Sequence, residues 1–154
     1  MVSRFRLLPL LPALLLVATC APAPEPALTD RQTLDEAGGA QLPLPAITYV
    51  SRDDMDRRYG VLIPGVQSFY IRNTRTIVVS DGCRDTADCD IWIAHELNNY
   101  AHNGADDCGA YLFAAAIANR EGKVNSARQQ LRGAKLSLCP EPSDGWGLGA
   151  GWPW

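Results

Sequence analysis

The chain is short of histidine, of net charge and of long apolar runs, and each shortage narrows what it can do. Its 154 residues suffice for one ordinary domain and not for two. Lys and Arg total 14 against 17 Asp and Glu, a formal charge of -3. A protein that binds by neutralising phosphates needs the opposite balance, so no nucleic-acid partner is expected. The longest charge-free run, residues 7–18, is interrupted by Pro9 and Pro12 and falls short of the roughly 20 apolar residues that span a bilayer. No internal repeat is present, nor a Ser/His/Asp order for nucleophilic catalysis. The glycine-rich stretch 145–151 is not followed by a helix that would make it a phosphate cradle.

What is present at the N-terminus has the layout of an export signal. Arg4 and Arg6 precede the apolar run, and small residues follow it. Residues 1–19 are read as a signal peptide. Val17-Ala18-Thr19-Cys20 resembles the lipobox of bacterial lipoproteins, which implies lipid attachment at Cys20 and membrane anchoring in the cell envelope, facing the periplasm or the cell surface. Cleavage there removes two arginines and no acid, leaving 12 basic against 17 acidic residues. It also leaves four cysteines, Cys83, Cys89, Cys108 and Cys139, an even number suited to an oxidising compartment.

Residues 20–45 are rich in Pro, Ala and Gly and read as an extended, mobile tether. The folded domain is expected over 46–140, followed by a tail, 141–154, that holds three of the four tryptophans. Exposed Trp there could meet a glycan or a partner, or fold back over apolar surface. Ala46 to Val50 is a short β-type run, and 51–59 reads as a charged, capped helix. Residues 66–71 and 76–79 flank the polar turn 72–75 as a hairpin. Asp88 or Asp90 can cap a helix starting near Ile91 and ending at Asn103-Gly104. A second, small and apolar helix runs from Asp106 or Asp107 to Arg120, and a third from Asn125 to about Lys135. These two, joined by a short turn, should pack antiparallel. That pairing brings Cys108 beside Cys139 and leaves Cys83 for Cys89. The result is a small, monomeric α+β domain with two disulfides.

Both histidines, His95 and His102, fall on the first of these three helices. Positions 95, 99 and 102 share one stripe at 3.6 residues per turn, with Glu96 beside it. His95-Glu96-Leu97 resembles the start of the HExxH helix of zincin metallopeptidases, and the preceding Thr76-Ile77-Val78-Val79 strand fits that arrangement. Asp107 and Tyr111 are similar to the third ligand and downstream tyrosine of the aspartate-type zincins, with one extra residue between them. The resemblance covers about residues 60–120. It implies a zinc site held by His95 and Asp107 with help from Asn99 or His102, Glu96 activating water toward a peptide bond, and Tyr111 contacting substrate. The second histidine of the pattern is Asn99 here, and an amide oxygen is a poor zinc ligand. His102 lies about 10 Å along the axis from His95 and could substitute only where the helix unwinds. The same residues also admit plain roles, His95 as a hydrogen-bonded interfacial histidine and Asp106 or Asp107 as helix caps. Glu96 with either aspartate could instead form the acid/base pair of a glycosidase, which depends on a separation that spacing does not set. Two functions are therefore carried forward: a lipoprotein metallopeptidase with a degenerate zinc site, and a non-catalytic envelope module that binds a peptide or protein along the strands.

Overall fold

The structure, a computed structural model, describes residues 27–59, 67–84, 86 and 88–141. The signal segment, Cys20 and the tryptophan-rich tail lie outside the described residues. The fold is α+β: α1 (Asp30–Leu34), β1 (Ala46–Val50), α2 (Arg52–Tyr59), β2 (Ser68–Ile71), β3 (Thr76–Ser80), α3 (Cys89–Ala101), α4 (Asp107–Arg120) and α5 (Val124–Leu136). The sheet has the order β1-β3-β2, with β1 parallel and β2 antiparallel to β3. Central β3 carries the buried residues Ile77, Val78 and Val79, as a strand paired on both sides should. Strand β2 is an edge among the described residues.

Helix α3 lies against the sheet through Ile93, Leu97 and Tyr100, which share a core with Ile77 and Val79. Its other side meets α4, where Ala110, Ala114, Ala115 and Ala118 are fully buried. Small side chains let the two backbones approach closely. Helices α4 and α5 form the expected antiparallel pair, and Cys108–Cys139 clips the start of one to the residue row just past the end of the other. Cys83–Cys89 closes the loop into α3. Asp106 caps α4 by accepting the Gly109 N–H at 2.8 Å. Asp88 stands at the start of α3 without capping it, because its carboxylate accepts from the Ser126 hydroxyl instead.

The expectation of a free tether is corrected over residues 27–45. Thr29 and Gln32 form a reciprocal capping box that starts α1, which continues as a wider turn over Asp35–Gly39. Leu34 is fully buried among Ile77, Val79 and Leu97, and Ala37 packs with Ile91, Phe113 and Ile117. Polar ties hold the segment as well: the Tyr100 hydroxyl donates to Pro43 O at 2.9 Å, Leu28 N–H to Glu121 Oε1 at 3.1 Å, and Arg120 pairs with Glu36 at 2.9 Å. The proline- and glycine-rich composition masked two apolar residues one helical turn apart, Leu34 and Ala37.

Candidate functional site

Strand β2 and helix α3 run side by side. Ser68 meets Glu96, Tyr70 meets Tyr100 edge to face, and Arg72 meets Gly104. From Ser68–Glu96 to Tyr70–Tyr100 two strand residues match four helix residues, about 6.6 Å against about 6 Å; the Arg72–Gly104 contact joins the turns that follow the two elements. Opposite them, the first turns of α4 supply Asp107 and Tyr111. Between these walls is a groove of about 420 Å³ that His95, Glu96, Asn99, Asp107 and Tyr111 all line, together with Ser68, Tyr70 and Arg72.

Glu96 is 4% exposed. Its carboxylate accepts from Ser68 Oγ–H at 2.8 Å and from Asn99 Nδ2–H at 3.3 Å. Burial raises its pKa above 4.5, opposed by His95 and by those two hydrogen bonds. Asp107 is the opposite case, 61% exposed and held below 3.8 by its interaction with His95, with burial opposing and Asn99 assisting. Nε2 of His95 stands 3.3 Å from Asp107 Oδ1, and its ring meets Tyr111 edge to face with centroids 4.4 Å apart. Tyr111 is raised above 10.0, by burial first and by Asp107 next. Nδ1 of His95 is buried with no partner among the described residues.

His102 does not join this group. Helix α3 ends at Ala101, His102 is its C-terminal cap, and the chain turns away through Asn103 and Gly104, both at positive φ. The side chain is exposed and does not line the groove. The stripe through 95, 99 and 102 carries helical geometry one residue past the end of α3, onto its cap. Ser68, Tyr70 and Arg72 are groove residues that the sequence reading passed over. Strand alternation was the available signal, because it sets Ser68 and Tyr70 on one face of the hairpin.

Whether the donors suit zinc can be tested on distances. Two ligands at 2.0–2.1 Å from a tetrahedral ion sit about 3.3 Å from each other, the separation of His95 Nε2 and Asp107 Oδ1. The third ligand is the difficulty. Among the described residues no group of three His, Cys, Asp or Glu could hold a metal. Asn99 is in place, but its amide nitrogen donates to Glu96 and also bonds toward Asp107, and a donor nitrogen has no lone pair for a metal. Turning the amide over would set its oxygen against two carboxylates. Among the described residues the donor set therefore offers two ligands, His95 and Asp107, where a catalytic zinc site takes three. Comparison of the chain with protein-family models, with curated proteins and with solved structures finds no match.

Proposed function

We propose that the protein is an exported, lipid-anchored module of the cell envelope that binds extended polypeptide in the groove of a zincin-like domain, without a catalytic zinc. One observation carries this reading: the edge strand β2 and the polar cluster His95, Glu96, Asn99, Asp107 and Tyr111 open onto the same groove. The Ser80 N–H donates to Gln67 O at 2.8 Å, so alternation along β2 points the backbone of Phe69 and Ile71 at β3 and that of Ser68 and Tyr70 away from it. A sheet edge of this kind takes up an extended chain through main-chain hydrogen bonds, with side-chain pockets adding selectivity. Asn99 donates to Glu96 and bonds toward Asp107, tying the two carboxylates together through its amide nitrogen. The lipobox-like residues up to Cys20 would hold the groove close to the membrane.

Zinc-dependent peptide hydrolysis is the second reading, favoured by the 3.3 Å between His95 Nε2 and Asp107 Oδ1. The two separate in one preparation made without a histidine tag. The binding reading expects far less than one zinc per chain and an unchanged affinity for a fluorescent Val- and Thr-rich peptide after EDTA. One zinc per chain that is lost in His95→Ala, with peptide cleavage that is lost in Glu96→Gln, supports hydrolysis and ends the binding-only reading. Anchoring has its own test: Cys20→Ser should shift the protein from the membrane to the soluble fraction, and retention in the membrane would contradict it.

A further inference from the structure

Ser68, Glu96, Asn99, Asp107 and Nε2 of His95 are committed to one another, and the Arg72 guanidinium stands apart from them. It follows β2 directly and is exposed, and its Nη2–H donates to the Gly104 carbonyl at 3.2 Å. That is its one side-chain hydrogen bond among the described residues, and it occupies one of the five N–H donors of the guanidinium. Gly104 makes the approach possible. It sits at φ +65, and a Cβ there would come within 3.2 Å of Nη2 and press on the guanidinium. The turn after α3 thus pins the arginine at the end of the groove while occupying a single donor.

Arg72 is also the only Arg or Lys among the described residues that line the groove. The other cavity of similar size, about 490 Å³ at the start of α3, is lined by two cations, but Arg84 stacks on Tyr49 and Lys123 pairs with Asp90 and Glu121. Both cations already have partners within the fold, an aromatic face for Arg84 and two carboxylates for Lys123. Arg72 has no carboxylate partner among the described residues.

Resting on the groove reading, we propose that Arg72 is a carboxylate anchor that selects peptides bearing a negative end or side chain at a set distance from the His95–Glu96 cluster. The length of β2 and the Arg72–Gly104 contact just beyond it set that distance. From Ser68, which touches Glu96, to Arg72 is four strand residues, about 13 Å. A peptide extended along β2 therefore puts its carboxylate about four residues from the portion over Glu96 and His95. Guanidinium and carboxylate match as a bidentate pair, which a lysine cannot reproduce. The carboxylate can belong to the peptide's C-terminus, in which case the chain runs parallel to β2, or to an acidic side chain.

Fluorescence anisotropy with one Val- and Thr-rich hexapeptide in three forms decides this: free C-terminal acid, C-terminal amide, and amide with Glu as the last residue. For the wild-type chain the acid form is expected to bind about tenfold or more tighter than the amide, as loss of a charge-assisted hydrogen-bonded pair entails. Recovery of affinity in the Glu-amide form assigns the site to carboxylates generally, and no recovery assigns it to C-termini; both sustain the anchor. In Arg72→Ala the ratio of acid to amide affinity should fall to about one, and Arg72→Lys should keep only a small part of the preference. Equal binding of acid and amide forms to the wild type, or a preference that survives in Arg72→Ala, overturns the anchor and leaves the groove reading standing. Failure of all three forms to bind overturns both.

Discussion

Replacing Asn99 by His converts the missing zinc ligand into a present one, and the structure sets what should follow. Asn99 is one helical turn beyond His95, and His95 Nε2 and Asp107 Oδ1 already stand 3.3 Å apart, the edge of a zinc tetrahedron. In Asn99→His the buried Glu96 loses a hydrogen-bond donor, a cost of about 1–3 kcal/mol. The metal-free variant should therefore melt below the wild type. Zinc that binds only the folded state returns about 2.7 kcal/mol at 100 times its Kd. For a domain of about 100 residues, each kcal/mol shifts Tm by about 4–8 °C, so added zinc should raise the variant's Tm by about 10 °C or more. The wild type should move by no more than about 2 °C. Thermal melts with zinc and with EDTA, paired with metal analysis of the dialysed proteins, read both quantities. An equal zinc response in the wild type would show that its ligand set is complete as it stands. No response in Asn99→His would show that His95 and Asp107 do not converge on one point.

Three further outcomes follow from packing, chain topology and burial. Leu34→Ala should cost about 2–5 kcal/mol in urea denaturation, since the side chain is fully buried; a change below about 0.5 kcal/mol would return residues 27–45 to the status of a tether. Removing Cys108–Cys139 should cost about 4 kcal/mol and removing Cys83–Cys89 about 2 kcal/mol, because the first closes a loop of sequence separation 31 and the second one of 6; equal losses in paired Cys→Ala variants would contradict the loop-closure ordering. Burial holds Glu96 above 4.5, so its contribution to stability is complete below that pH and is lost as pH rises through the folded-state value. Glu96→Gln should therefore show a flatter stability profile than the wild type from about pH 4.5 upward, and a profile of unchanged slope would remove Glu96 as its source.

Most of the elements are readable from the residues, because they rest on local signals. β-rich runs on either side of the polar turn 72–75 mark β2 and β3, small apolar residues mark α4, and the short turn between α4 and α5 suffices to pair Cys108 with Cys139. The N-terminal segment was read wrongly although its start was visible: Thr29 followed three residues later by Gln32 is a capping box, outweighed in the sequence reading by the surrounding Pro, Ala and Gly. Parallel pairing of β1 with β3 is a non-local choice that no short pattern encodes. In the candidate site, His95, Glu96 and Asn99 were placed by helical geometry, and Asp107 and Tyr111 by resemblance; all five share one groove. His102 was misplaced because the same geometry was extended past the residue where α3 ends. Ser68 and Arg72 went unnoticed because their roles depend on which helix the strand lies beside.

The central claim, that an extended chain docks along β2 over the His95–Glu96 cluster, is tested most directly by amide chemical shifts of the isotopically labelled domain during titration with the Val- and Thr-rich peptide in EDTA. Saturable shifts are expected at the outward-facing amides of Ser68 and Tyr70 and at groove residues such as Asn99 and Tyr111, with those of central β3 little changed. Saturable shifts confined to surfaces away from β2 and α3, or none up to millimolar peptide, would contradict it.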